Sequence, residues 1–340
     1  MPWPLIKLIP RHSNFKFVRF AFFASFGSIL AVVLSFGSMF TGGYRENPIA
    51  VYEAAEGSPL DRIGVILSHG FNLGIDFKGG TALIIEAPEA IDVNQLHPAL
   101  EALNIGEVKI QTFGDDKKRA QVSFNPVGPQ TATAVHATIA RVVPNVDFKS
   151  QEVVGAEVSS ELFTSGLIAL GLAMLLVMIY IWFRFDLQFG FGAVLSLFHD
   201  TILTLGVFSF FRIDFTLPVI AGLLTVIGYS MNDTVVVFDR MRENFRRFKS
   251  MKPTDVIDLS INETLSRTLM TVATVLIASG ALYLWGGTTL EPFAICMLFG
   301  CVVATYSSIY IAAPALPLFG DRPGRPQPKH GLMARSAESS

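Results

Sequence analysis

Six apolar stretches, each about 20 residues long, constrain this chain more than any other feature. A helix rises about 1.5 Å per residue, so about 20 residues cross a hydrocarbon core about 30 Å thick. The stretches are 17–40, 162–183, 187–211, 215–238, 268–286 and 292–313. Only 16% of the 340 residues are charged, against about a quarter in an average soluble domain, and the mean hydropathy is +0.48. A soluble enzyme and a disordered chain are both disfavoured, and a polytopic α-helical membrane protein is predicted. The first stretch follows Lys7, Arg11, Lys16 and Arg19 as a signal peptide would. Its apolar run is too long, and a small-residue cleavage site near residues 38–43 is missing, so an uncleaved anchor is expected.

The spacing divides the chain into one helix, a polar interval and five closely spaced helices. The divisions are an N-terminal segment 1–16, a first crossing 17–40, an interval 41–161, a bundle 162–319 with a loop 239–267, and a disordered tail 320–340 rich in proline. Lys and Arg gather in the N-terminal segment, in the loop (Arg240, Arg242, Arg246, Arg247, Lys249, Lys252, Arg267) and in the tail (Arg322, Arg325, Lys329, Arg335). By the positive-inside rule both termini and that loop are cytoplasmic. In a bacterium the polar interval is then periplasmic. Residues 239–252 read as a basic amphipathic helix facing lipid headgroups.

After the turn signals Gly42-Gly43, Asn47-Pro48 and Gly57-Ser58-Pro59, the interval becomes regular. Strand patterns at 81–87, 107–113, 120–124 and 146–154 alternate with helical patterns at 93–103 and 130–143. The order βαββαβ predicts a ferredoxin-like α+β domain between the first and second membrane helices. His69, His97 and His136 are isolated from Cys and from metal-ligand spacings, so no metal site is expected. Gly79-Gly80 precedes a strand and lacks P-loop spacing, which makes it a turn. With no nucleotide motif, no Gly-x-Ser-x-Gly and no His-Glu-x-x-His, neither enzyme chemistry nor a cofactor is indicated. A balanced charge of −2 gives no reason to expect nucleic acid. Cys296 and Cys301 lie in one apolar run as small core- or lipid-facing residues.

Ionisable groups inside lipid are costly and mark function. Asp233 with Asn232 falls in the fourth stretch, and Arg267 opens the fifth at a comparable depth if those helices are neighbours. Asp200 with His199 lies in the third, by helical rise about 10 Å further toward the periplasm than Asp233. A carboxyl group that alternates between a dry site and the neighbourhood of a guanidinium can take up and release a proton. Asp233 and Arg267 are therefore candidate proton-pathway residues, with Asp200, His199 and Asn232 behind them. Bland roles compete: Arg267 snorkelling to headgroups, Asn232 joining helices, His199 and Asp200 forming a buried hydrogen bond. Gly300, Ala304, Ser308 and Ala312 give the sixth stretch a narrow face for close helix packing, and Gly228 with Asn232 repeats the theme.

Three runs carry a family resemblance. Phe71-Asn72-Leu73-Gly74-Ile75-Asp76-Phe77-Lys78-Gly79-Gly80-Thr81, the run 227–244 around Ser230-Met231-Asn232-Asp233-Thr234, and Asn262-Glu263-Thr264-Leu265-Ser266-Arg267-Thr268 resemble motifs of SecF. SecF is the smaller membrane subunit of the bacterial SecDF protein-export complex, in the resistance-nodulation-division superfamily. The resemblance implies a multi-pass inner-membrane protein partnered by SecD and associated with the SecYEG channel and YajC. It implies use of the proton motive force, or sodium in some relatives, to draw a translocating preprotein outward after the SecA ATPase has acted. The family's proton-pathway residues fall on Asp233 and Arg267. The competing expectation is a stand-alone or homo-oligomeric exporter of small molecules.

Overall fold

The computed structural model describes residues 14–45, 47–55, 65–66, 69–114, 116–125 and 130–316. The turn signal at 57–59, the proline run before the second helical pattern, and the tail 320–340 lie outside them. Among the described residues, six helices are long and apolar enough to cross a membrane. The first, α1 (Phe17–Phe40), begins where the pattern predicts and stops at Gly42-Gly43, both of which have positive φ. A short helix α2 (Pro48–Ala54) follows, capped by the Asn47 side chain.

The polar interval then forms β1 (Asn72–Leu73), a single turn α3 (Ile75–Lys78), β2 (Gly80–Glu86), α4 (Val93–Glu101), β3 (Val108–Phe113), β4 (Arg119–Phe124), α5 (Thr131–Val142) and β5 (Asp147–Val154). The four long strands pair in the order β3-β4-β2-β5, all antiparallel. This is the ferredoxin-like arrangement that the sequence predicts. Leu83, Ile85, Val122, Leu96, Leu100, Val135 and Ile139 from strands and helices form one buried core. The Gly79-Gly80 turn bends the chain into β2 with φ of 73° and 124°, and a Cβ on Gly80 would lie 2.9 Å from the Phe124 carbonyl oxygen.

Beyond the sheet lie α6 (Ala156–Arg184), α7 (Leu187–Phe211), β6 (Asp214–Phe215), α8 (Leu217–Arg247), α9 (Pro253–Trp285) and α10 (Glu291–Ser307). A π-helical turn, Ser308–Ala312, continues α10. Within the expected loop 239–267, residues 239–247 continue α8 as the amphipathic pattern predicts, and residues 253–267 prove helical as well, so only 248–252 form the turn of a long α8–α9 hairpin. Polar side chains stitch its end. Arg240 donates to Glu263 at 2.7 Å, and Asn244 donates to Glu263 at 2.6 Å. Asn262 exchanges hydrogen bonds with Phe15, and Asp258 accepts from the Val18 amide. The free first-turn amides of α1 are thus met by α9.

The sheet domain is tied to the bundle by a joint the sequence did not announce. β1 pairs in parallel with β6, which lies between α7 and α8. Asn72 donates to Asp214 at 2.6 Å, Lys109 of β3 is ion-paired with Asp214, and Asp76 accepts from the Leu217 amide.

The small-residue face of α10 is a packing face within this chain. A Cβ on Gly300 would lie 2.5 Å from Val226 of α8, and one on Gly192 of α7 would lie 2.7 Å from the Ala312 carbonyl oxygen. Ala304 and Ser308 are fully buried. Gly228 differs from the expectation: nothing lies within 4 Å of the position its Cβ would take, so it faces out of the chain. Gly300→Leu is therefore expected to lower thermal stability in detergent by about 1–3 kcal/mol through overpacking, whereas Gly228→Leu leaves the isolated chain unchanged.

Candidate proton-transfer site in the helix bundle

On α8, Ser230, Asp233, Thr234 and Val237 recur at helical spacing and are all buried. This face carries one carboxyl group and is packed between α9 and α10. Asp233 is 5% exposed. Its Oδ1 accepts a 2.6 Å hydrogen bond from the Thr268 hydroxyl on α9, while its Oδ2 has no hydrogen-bond partner. The groups near enough to act on it electrostatically or by hydrogen bonding are Thr268, Ser308 and Arg267. Ser308 spends its hydroxyl proton on the Ala304 carbonyl at 2.7 Å, which leaves Oδ2 free.

Asp233 and Arg267 do share a depth on neighbouring helices, because the α8–α9 hairpin brings residue 268 opposite residue 233. They form no ion pair within 4 Å among the described residues. Arg267 is exposed on the outer face of α9, and its neighbour Thr268 holds the carboxyl group instead. Asn232, about 100° around α8 from Asp233, is exposed on the helix's outer side. It does not join the acid, and it shares its outer face with Thr225 and Gly228.

Asp200 on α7 is 1% exposed and contrasts with Asp233 in the number of its partners. Its Oδ2 accepts from Ser230 at 2.6 Å and from Ser307 at 2.8 Å, and its Oδ1 accepts from His199 Nδ1 at 2.9 Å. Ser196 donates to Ser307 at 2.9 Å. The His199 ring lies 6.2 Å from that of Tyr306, whose hydroxyl donates to the Ala24 carbonyl of α1 at 2.8 Å and meets Ser28 at 2.9 Å. Nε2 of His199 is buried without a partner. A polar seam therefore runs from α1 through α10 and α7 to α8.

Ser230 bonds Asp200 from one turn before Asp233, so the two acids differ in depth by about 4.5 Å, closer than the expected 10 Å. Adjacent serines on α10 face them: Ser307 reaches Asp200, and Ser308 lies beside Asp233. The pair sits where α10 passes into its π-helical turn. Ser230, Ser307, Tyr306 and Thr268 were not singled out from sequence. Ser230, three residues before Asp233, and Thr268, directly after Arg267, did stand inside the family-like runs, whereas nothing in the sequence marked Tyr306 and Ser307. Cys296 and Cys301 are free and buried in the apolar core between α8 and α10. No cluster of metal-binding side chains is present among the described residues. His69, His97 and His136 are spent on the Val65 carbonyl, on the Val108 carbonyl with Glu101, and on stacking with Phe148.

Comparison with known proteins gives a consistent result. A family profile described as protein export membrane protein SecD/SecF, C-terminal, matches residues 134–322, and one for the SecD/SecF GG motif matches residues 64–87. The protein translocase subunit SecF of Cereibacter sphaeroides is 43% identical over 272 residues, covering 77% of this chain and 84% of its own. That of Rickettsia akari is 36% identical over 321 residues, covering 93% and 96%. The crystal structure of SecDF, a translocon-associated membrane protein from Thermus thermophilus, superposes with a TM-score of 0.77 at 28% identity. The match covers 92% of this chain and 40% of that longer one.

The two acids differ in what an amide can replace. Asp200→Asn would turn an amide nitrogen toward hydroxyl donors or forfeit one of its three partners, at a cost of about 1–3 kcal/mol. Asp233→Asn keeps an oxygen for Thr268 and places its amide at the free position, so thermal unfolding in lipid is expected to change little.

Proposed function

The chain belongs to the SecF family of protein translocase subunits, and from that premise we propose that it couples the proton motive force to the late stage of protein translocation across the bacterial inner membrane. In this reading it is one half of a heterodimer with SecD. It acts at the SecYEG channel, with YajC as a further associate, upon a preprotein that has already entered the channel. Both termini and the 248–252 turn face the cytoplasm, and the sheet domain faces the periplasm. The excess of Lys and Arg at the bundle end opposite the sheet supports that orientation.

The observation that carries the reading is the Asp233 carboxyl group, buried in a membrane-spanning bundle with one oxygen held by Thr268 and the other unpartnered. Unpaired polar atoms in such surroundings are expensive, and a site with a free carboxyl oxygen and a hydroxyl donor has room for a proton. The proton affinity of a carboxyl group depends on how its charge is solvated and on the nearest cation. Arg267, one residue from Thr268 and not ion-paired, is placed to change that balance when α9 shifts against α8. One charge crossing 100 mV is worth about 2.3 kcal/mol, enough to bias such a shift. Asp200, His199 and the serines between them would extend the route toward the sheet domain.

The outer face of α8 and α9 supports the partner. Thr225, Gly228 and Asn232 on α8 and Arg267 and Thr274 on α9 are exposed from helices that cross the membrane. Hydrocarbon solvates neither the Asn232 amide nor the Arg267 guanidinium, and a second protein laid over this face would supply their partners. A SecD-like half fits that need.

Asp233→Asn is expected to abolish proton-dependent stimulation of export in inverted vesicles while partner binding persists. Export by that variant that still collapses on addition of an uncoupler would defeat the reading. Arg267→Lys keeps the charge but loses the planar fork, and partial activity is the expected outcome. Asn232→Leu is expected to weaken co-purification with SecD. Recovery of a homo-oligomer that exports small molecules would favour the exporter instead.

A further inference from the structure

Where α8 leaves the membrane on the side away from the sheet, four arginines and two acids line a shallow, open cleft of about 510 Å³: Arg184, Asp239, Arg242, Glu243, Arg246 and Arg247. We propose that this cleft is a binding site for the phosphate of an anionic phospholipid headgroup. The inference is independent of the proton site.

The charges in the cleft do not cancel. Arg184 holds both oxygens of Asp239 at 2.8 Å, and Glu243 is taken by Arg240 at 2.6 Å, from outside the cleft. Both acids are spent, and Arg242, Arg246 and Arg247 have no carboxylate within ion-pair distance among the described residues. The Nε of Arg242 is buried and has no acceptor among the described residues. The half-buried Arg242 and the exposed Arg246 and Arg247 thus leave an excess of cationic donors in the cleft, which favours an anionic oxygen acceptor. Arg242 and Arg246 are one helical turn apart, about 5–6 Å between Cβ atoms, which suits two oxygens of one phosphate.

Position selects a lipid. The helix α8 has 31 residues, about 46 Å of rise against a core of about 30 Å, so its arginine-rich end emerges at headgroup level. Directly before Arg184, at the turn between α6 and α7, Phe183 is 90% exposed, and Leu187 beyond the turn is 69% exposed. These side chains offer an apolar wall for acyl chains beside the cationic cleft. Basic pockets between helix ends at a membrane surface are the setting in which anionic headgroups are held.

The test uses the full-length protein, purified with its partner and exchanged into phosphatidylcholine nanodiscs doped with phosphatidylglycerol or cardiolipin. Native mass spectrometry of the released complex counts retained anionic lipid. The wild type is expected to retain it, and the Arg242→Gln/Arg246→Gln double variant to retain it about tenfold less, with Arg242→Lys/Arg246→Lys intermediate. Lys249→Gln/Lys252→Gln, a change of equal charge outside the cleft, is expected to have no effect. Equal loss in Lys249→Gln/Lys252→Gln would reduce the effect to general surface charge and overturn the site. So would full retention by the double variant, displacement of the lipid by millimolar inorganic phosphate, or crosslinking of a photoreactive group at residue 246 to an acidic segment of the partner instead of to lipid.

Discussion

Hydrocarbon cannot solvate a polar group, and the helix bundle is arranged around that one constraint. Asp200 and Asp233 both stand in spanning helices, and each is met by hydroxyls from neighbouring helices in place of water. Asp200 draws donors from α7, α8 and α10 and is enclosed by them. Asp233 draws one, from α9, and keeps an oxygen unpartnered. A fully bonded carboxylate fixes helices in place, since any movement breaks several charged hydrogen bonds at once. A singly bonded one leaves its helix pair able to rearrange at a smaller cost. The two acids thus differ in how many helices each one ties together.

Close packing makes that division possible. Gly300 lets α10 lie against Val226 of α8, and Gly192 lets α7 approach the Ala312 carbonyl group. These approaches bring Ser307 and Ser308 to the two acids in succession, which a larger residue at either glycine would prevent. The π-helical turn begins at Ser308, and such turns tend to mark functional positions within helices. Adjacent residues on a helix point about 100° apart, so a pair of serines can serve acids on two different neighbours.

Much of this was legible in the chain. The spans 17–40 and 187–211 coincide with α1 and α7 because their ends are set by local signals, Gly42-Gly43 in one and the Arg184 and Arg212 turns in the other. The βαββαβ order was readable because strand and helix periods differ and short turn signals separate them. The start of α9 at Pro253, 15 residues before its apolar stretch, was not, since hydropathy reports burial in lipid and is silent about helix that begins in water. Asp233 stood out by cost alone. Its true partner did not, because a threonine in an apolar run raises no alarm, and the charged neighbour Arg267 drew attention one position short. Gly228 and Gly300 carry the same residue in similar contexts, and only the three-dimensional neighbours distinguish a packing face inside the chain from one left open.

The joint between bundle and sheet shows where helix movement would be felt. Asp214 lies in β6, in the short connection between α7, which carries Asp200, and α8, which carries Asp233. It holds Asn72 of β1 and Lys109 of β3, and its strand pairs with β1 immediately before α3 and β2. Asp76 of α3 meets the first turn of α8 through the Leu217 amide. The sheet is therefore attached at the ends of the same two helices that bear the acids. A tilt of α8 against α7 would move β6, and the pairing of β6 with β1 gives such a movement a backbone route to β2, one of the two inner strands of the sheet. Side-chain ties alone would let such a displacement dissipate; hydrogen-bonded backbone on both sides of the joint does not stretch.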